Sequence, residues 1–397
     1  MKFILSIFTV FACFSLTAQR TISTILSSVE ENNTTLKALR ETAEAQKLEN
    51  KSGIYLSNPE VEFGYLWGSP SEIGERTDLS VSQNFDIPTL TGMKGKIAKE
   101  QNRLVDWQYK ADRMTILLEA HLLCLDLIYY NALKTELELR LEYAETIAKA
   151  YQGRLSKGDV TKLEYNKVLL SLSSVQGEAS RVEVEQKSIL SRLRSLNGGR
   201  EISLEEKQYA EVQLPLDFEG WYLEAQQKSP DLAYLKQEVE LSKKKVSLSK
   251  AMGLPTFSAG YTSERVVGER YQGITVGVSI PLWENKNRVK QAKRAAVAAE
   301  SREADSKLRF YTNLQIQYNR TMGLQGTART YKKTLEAANN AGLLKSALDA
   351  GEISLLDYIV EMGMYYDAVN QALEAERDYQ KAFAELMAVE LLSSGEL

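Results

Sequence analysis

The chain has 397 residues, a formal net charge of −4 and 44% hydrophobic residues, enough for one large architecture or two domains. It carries no basic tract, which argues against a nucleic-acid partner. One histidine and two cysteines leave little material for a disulfide framework, a metal centre or a histidine-based active site.

The N-terminus reads as a secretory signal over residues 1–18. Lys2 is the charged start, Phe3 to Phe14 the apolar run, and Ser15-Leu-Thr-Ala18 the small-residue cleavage site, with the cut after Ala18 or Gln19. The run is too short to span a bilayer. Cys13 is an alternative lipid-bearing position, but Phe11-Ala12 before it fits a lipidation motif poorly. Cleavage removes Lys2 and leaves Cys124 alone, so no intrachain disulfide can form. No apolar stretch of about 18 residues is expected further on. Export then leaves two destinations, a soluble exported protein or an outer-membrane β-barrel.

In chain order, helices are predicted at 21–55, 93–153, 159–197, 230–252, 285–349 and 353–389. All seven prolines lie between Asn58 and Pro281, and none falls between Thr89 and Leu214 or from Leu282 onward, so these two long runs are free to be helical. Those runs are rich in strong helix formers. A helix over 93–153 is about 90 Å long at 1.5 Å per residue, more than an ordinary globular core needs. Gly158 and Gly351 interrupt the pattern and are followed by Thr161 and Ser354, so each is the turn of a helical hairpin. A different region, 198–229, holds Asn197-Gly-Gly199, Pro215 and Gly220, with a short helix near Phe218–Gln227; it links two halves and packs outside the rods.

Four segments alternate with period 2. In Val61–Trp67, Leu79–Ile87, Phe257–Tyr261 and Ile274–Ile280, apolar or aromatic residues occupy most alternate positions and polar residues or glycine most of the others. They pair as two hairpins, across loops near 68–76 and 264–271. Such hairpins often cover a soluble core, but here the neighbouring segments are long helices with little to cover. Tyr65, Trp67, Tyr261, Tyr271 and Trp283 edge these segments like the aromatic girdles of an outer-membrane wall. A sheet facing lipid must close on itself, and barrels of this kind need about eight strands. The chain must therefore share a barrel with other chains.

The chain also repeats itself. Leu155, Gly158, Leu163 and Tyr165 recur as Leu348, Gly351, Leu356 and Tyr358, each shifted by 193, and Glu164 recurs as Asp357. Upstream, Asn58-Pro59 matches Leu254-Pro255, and Ile87-Pro88 matches Ile280-Pro281. A duplication this long implies two similar substructures about a pseudo-symmetry axis. The predicted organisation is a signal at 1–18, a first repeat at 19–197 (β-hairpin 60–87, helical hairpin 93–197), a linker region at 198–229, and a second repeat at 230–397 (β-hairpin 256–282, helical hairpin 285–389).

Enzymatic chemistry is sparse. His121 and Cys124 are three apart on one helix face, so a metal pair is conceivable, but two ligands are not a site, and packing among Leu122, Leu123 and Leu125 is the better account of them. There is no phosphate-binding loop and no C-x-x-C. The expectation is no enzyme, no cofactor and no metal. The acidic residues at the turns are more informative. Asp159 and Glu352 suit a helix N-terminus through the dipole. Asp357 and Glu361 lie one turn apart on one face, and in a symmetric oligomer either would form a ring of carboxylates about the axis.

The motif L-x-x-G-x-[VI]-[TS]-x-L-[ED]-Y at 155–165 and 348–358, with the strand entries and exits at the prolines, resembles the TolC family of outer-membrane efflux proteins over essentially the whole mature chain. Val81-Ser-Gln-Asn-Phe-Asp-Ile-Pro88 followed by Lys94 and Lys96 is similar to the branch serving heavy-metal efflux pumps. The resemblance implies a mainly α fold with a small β part. Long coiled-coil-like helical hairpins would form an α-barrel in the periplasm. Four strands per chain would join a shared trimeric β-barrel among outer-membrane lipids. It also implies a homotrimer that works with a periplasmic adaptor and an inner-membrane pump. Gly158, Asp159, Thr161, Gly351, Glu352 and Ser354 then fall at the tips that meet the adaptor. Family members often carry constricting aspartates six and nine residues after the second tip glycine. Asp357 fills the first position, whereas Val360, with Glu361 beside it, stands at the second. The expected function is a passive exit duct for efflux or type I secretion. The competing class is a soluble periplasmic coiled-coil adaptor or scaffold.

Overall fold

The computed structural model describes residues 21–85, 88–283, 285–338 and 341–395, so the predicted leader lies outside them. The chain is mostly helical, with one small antiparallel sheet. Its elements are α1 (21–32), α2 (Thr34–Lys51), β1 (Glu60–Trp67), β2 (Glu75–Phe85), α3 (Pro88–Lys157), α4 (Lys162–Leu196), α5 (Phe218–Lys228), α6 (Pro230–Ala251), β3 (Thr256–Val266), β4 (Glu269–Ser279), α7 (Arg288–Ala337), α8 (Ala341–Ala350) and α9 (Leu355–Leu386). They fall into two compact units. The first takes the chain up to Lys37, Asp112–Ala225 and the part from Tyr311; the second takes Ala38–Ala111 and Gln226–Phe310.

The expected helix over 21–55 is broken at Asn33. Its side-chain oxygen accepts from the Leu36 N–H at 2.8 Å, so Asn33 caps α2, while its amide donates to the Leu196 carbonyl at 2.8 Å. The helix expected over 285–349 ends at Ala337 and resumes at Ala341. The short helix near Phe218 is present as α5. Its Phe218 packs edge-on against Tyr311 with ring centroids 5.7 Å apart.

In the first unit α1, α3 and α4 share a core of Val29, Leu127, Ile128 and Leu193, all essentially sealed from solvent. This packing explains a sequence expectation that did not hold. Helix α3 is, by length and composition, apolar enough to cross a membrane, yet half of its most apolar window is buried inside the protein. Within that helix Leu123, Leu125 and Leu127 join the same buried core. The 200–217 stretch runs beside these helices without regular structure. Tyr209 donates to the Leu125 carbonyl at 3.0 Å, and Asn131 donates to the Leu204 carbonyl at 2.8 Å.

In the second unit the strands form one sheet in the order β1-β2-β3-β4. The two expected hairpins are joined through β2 and β3, which pair antiparallel from Arg76↔Val266 to Phe85↔Phe257. The second hairpin is tighter than the sequence suggested. Strand β3 runs to Val266 and β4 starts at Glu269, leaving a two-residue turn in which Val267 and Gly268 both have positive φ, 43° and 91°. In the same unit α3 and α6 are tied by the buried Glu100 carboxylate of α3, which accepts from Arg103 at 2.8 Å and also from Lys244 and Gln237 of α6.

Candidate functional site

Both helical hairpin turns are built from the same parts. At the first, Gly158 has φ +79°; its N–H donates to the Leu155 carbonyl at 3.1 Å, and the Asp159 N–H donates to the Arg154 carbonyl at 2.9 Å. At the second, Gly351 has φ +75°; its N–H donates to Leu348, and that of Glu352 to Ala347, at 3.1 and 2.9 Å. Each is a Schellman stop, which requires a left-handed residue, and glycine adopts that conformation at least cost.

Three residues after each glycine a new helix begins with a capping box. Thr161 donates to the Glu164 carboxylate through its N–H at 2.7 Å and its hydroxyl at 2.8 Å, and Thr161 Oγ1 accepts from the Glu164 N–H at 3.2 Å. Ser354 and Asp357 repeat this at 3.2, 2.6 and 3.2 Å. The repeated spacing T/S-x-x-E/D is thus a helix start with both orphan donors satisfied. The bonds from Thr161 hold the Glu164 carboxyl below the usual carboxylate range. Val160 and Tyr165, at the staple positions on either side of the cap, pack against a shared cluster of Ala148, Tyr151, Val168 and Leu355. That cluster brings the two turns together in one unit. Asp159 and Glu352 sit exposed on the turns and serve the helix ends through their backbone N–H groups.

Asp357 and Glu361 both lie exposed on α9. Beside them Leu356, Val360 and Met364 form an apolar stripe at i, i+4 and i+8, each more than half exposed. Behind the stripe, α9 packs on α3 and α4 across a cavity of about 230 Å³ lined in part by Tyr143, Val168, Glu178 and Tyr358.

Sequence reading missed the polar knot beside this cavity. Arg140 of α3 is 3% exposed. Its Nε donates to Glu136 at 3.0 Å and its Nη2 to Asn370 at 3.0 Å, while its guanidinium lies 4.2 Å from the Tyr366 ring centre. Asn370 in turn donates to Glu178 of α4 at 3.3 Å. Arg140 and Asn370 together thus join three helices. A lone arginine in a long helix gives no sequence signal of this kind.

The sheet has two chemically distinct faces, because residues directly opposite in an antiparallel ladder share a face. One carries the rows Val61–Val81–Tyr261–Ile274 and Phe85–Phe257–Val278. Ile274 is 83% exposed and Val276 76% exposed on this face. The other carries Glu62–Ser80–Thr262 and Gly64–Asp78–Glu264–Tyr271, with Arg76 ion-paired to Asp78 at 2.9 Å and to Glu264 at 3.1 Å. Tyr271 therefore stands on the polar face, not in the apolar girdle read from sequence.

His121 and Cys124 make no site. Cys124 is fully buried and burial pushes its thiol up to about 12; His121 is pushed down to about 4, also by burial, and its Nδ1 has no hydrogen-bond partner among the described residues. No group of three or more metal-ligating side chains occurs among the described residues.

Comparison with known proteins gives one consistent picture. The model of the family described as "Outer membrane efflux protein" matches residues 221–389. The alkaline protease secretion protein AprF of Pseudomonas aeruginosa is 26% identical over 185 residues, covering 43% of this chain and 38% of AprF. The chain thus matches little more than a third of that protein's length. Among solved structures, the outer-membrane channel CmeC of Campylobacter jejuni superposes with a TM-score of 0.72 at 15% identity, over 94% of this chain and 86% of CmeC. The open state of the MtrE outer-membrane channel of Neisseria gonorrhoeae gives 0.76 at 14% identity, over 93% and 88%.

Proposed function

We propose that the chain belongs to the TolC family of outer-membrane efflux proteins and is the passive exit duct of a tripartite efflux or secretion system, a reading supported by the family model over residues 221–389 and by the likeness to AprF. The observation that carries this reading is the sheet. Its apolar face is exposed, and its edge strands β1 and β4 have no partner strand among the described residues. Open edges cannot face lipid, and four strands do not close a barrel. Copies of the chain must supply the rest, and a homotrimer sharing one barrel is the assembly in this proposal.

In this reading the helical hairpins form a periplasmic tunnel, and the turns at Gly158, Asp159 and Thr161 and at Gly351, Glu352 and Ser354 meet the adaptor of an inner-membrane pump. The exposed stripe of Leu356, Val360 and Met364 supports a contact between copies of α9, which would gather Asp357 and Glu361 about the axis as the constriction. The two repeats at 19–197 and 230–397, joined through 198–229, then act as pseudo-equivalent halves of each subunit. The chain does no covalent chemistry in this reading, and the pump supplies the energy.

For cargo, similarity of the Val81–Pro88 stretch to the heavy-metal branch favours metal efflux, whereas similarity to AprF favours protein secretion. Metal sensitivity of a deletion strain separates them. The duct itself is tested by detergent extraction and by conductance in planar bilayers. Purified protein that stays monomeric and soluble without detergent sinks the reading and favours a soluble periplasmic scaffold.

A further inference from the structure

The sheet carries three arginines with unlike surroundings. Arg76, on the polar face, sits between Asp78 and Glu264. Arg265 and Arg270 stand directly opposite each other on β3 and β4, on the apolar face, in the row Tyr65–Thr77–Arg265–Arg270. Neither has an ion-pair partner among the described residues. Arg270 donates from Nε to Ser263 Oγ at 3.1 Å, which fixes its guanidinium along the face.

Like charges directly opposite on paired strands repel, so this pair is unfavourable unless an anion lies between the two. A cavity of about 280 Å³ is present there, lined by Phe63, Thr77, Leu79, Ser263, Arg265 and Arg270 and also by Gly268 and by Asp78, whose carboxylate is ion-paired to Arg76. The apolar row Val61–Val81–Tyr261–Ile274 lies two rows away, about 13 Å along the strands at ~3.3 Å per residue. The face therefore runs from hydrocarbon-like side chains to a paired cationic basin next to the Val267–Gly268 turn. Forked guanidiniums match phosphate oxygens in geometry as well as charge.

We propose that Arg265 and Arg270 bind the phosphate headgroup of a membrane lipid whose acyl chains lie on the apolar rows. This rests on the barrel reading given above. The shape argues for a lipid rather than free phosphate, because the basin is continuous with apolar surface on the same face.

The test uses the full-length protein in nanodiscs of phosphatidylcholine containing phosphatidic acid, analysed by native mass spectrometry. The wild type should retain phosphatidic acid over phosphatidylcholine. R265Q/R270Q should lose that preference by roughly 30-fold, each arginine near an anionic surface contributing about a fivefold factor. R265K/R270K, which keeps the charge, should retain part of it. Equal retention in the wild type and the double glutamine variant overturns the proposal. So does displacement of phosphatidic acid by inorganic phosphate, which assigns the pair to a free anion. Loss of the assembled oligomer in R265Q/R270Q, with no lipid preference in the wild type, assigns the arginines to pairing between copies and also overturns it. Flotation of the wild type with pure phosphatidylcholine liposomes tests the barrel separately. Protein that does not float sinks the membrane reading, whereas protein that floats without preferring phosphatidic acid sinks this site alone.

Discussion

Oδ2 of Asp357 accepts hydrogen bonds from both the hydroxyl and the backbone N–H of Ser354, at 2.6 and 3.2 Å. The carboxylate proposed to line the constriction is therefore also the one that closes the start of α9. The two roles separate by substitution. Ser354→Ala removes the cap and leaves the charge, and should cost about 1 kcal/mol, read as faster amide exchange over the first turn of α9. Asp357→Ala keeps the Ser354 hydroxyl cap on the helix N–H but removes the charge and the carboxylate half of the box, and should change cation block of single-channel current. If Ser354→Ala shifts the block as much as Asp357→Ala does, the charge has no direct part in it.

Gly351 should not accept a β-branched residue. A Cβ there would meet nothing within 4 Å, so the penalty is backbone strain at φ +75° alone. Gly351→Val should cost about 1–2 kcal/mol, impair coupling to the pump and leave the barrel assembled. Gly158→Val should behave alike at its own turn. Loss of the oligomer in either variant would show that the strain spreads beyond the turn.

Arg140 should be difficult to replace. Its removal leaves Glu136 and Asn370 without their buried donor, a loss of about 3–5 kcal/mol for a broken buried pair. Arg140→Lys should rescue little, because a lysine cannot donate along two directions while stacking on the Tyr366 ring. Hydrogen exchange along α9 should rise around Asn370 in both variants.

His121 should make the protein sensitive to acid. Folded, the imidazole takes a proton only near pH 4; its ordinary value is 6.5. The unfolded chain therefore binds that proton first as pH falls. Stability from the neutral ring is complete above about pH 6.5 and is lost progressively toward pH 4, by up to about 3 kcal/mol. His121→Leu should melt with a shallower dependence on pH than the wild type. Parallel curves would show that the ring is hydrated in the folded state.

Val267 is a β-branched residue at φ 43°, in a turn that asks for asparagine or glycine. Val267→Asn should stabilise the hairpin by about 1 kcal/mol, seen as a higher melting temperature in detergent. A lower value would mean that packing of the Val267 side chain outweighs the strain.

Much of this architecture was legible because its signals are local. Proline placement marked where helices stop, alternation marked the strands, and the repeated glycine motif marked two turns whose bonds prove to be the same. The breaks at Asn33 and Ala338 were harder, since each sits within a good helical pattern; the Asn33 cap had its signature in the sequence, an asparagine three residues before Leu36. The pairing of β2 with β3 and the Arg140 knot depend on contacts between distant parts of the chain, which no period reveals. For the same reason the apolar run of α3 looked like neither a membrane span nor a core until its partners α1 and α4 were in place.

The ladder between β2 and β3 joins Arg76 to Val266, residues from opposite halves of the sequence. Closing so long a loop is slow and entropically costly. In a chain exported as proposed, the full sheet cannot form until β3 and β4, which come late in the sequence, have arrived. Until then β2 waits with an open edge and an apolar face, the state most prone to aggregation. In the proposed duct, barrel assembly is thus a terminal event, and its rate should depend on the concentration of complete chains and on whatever shields β2 in the interval.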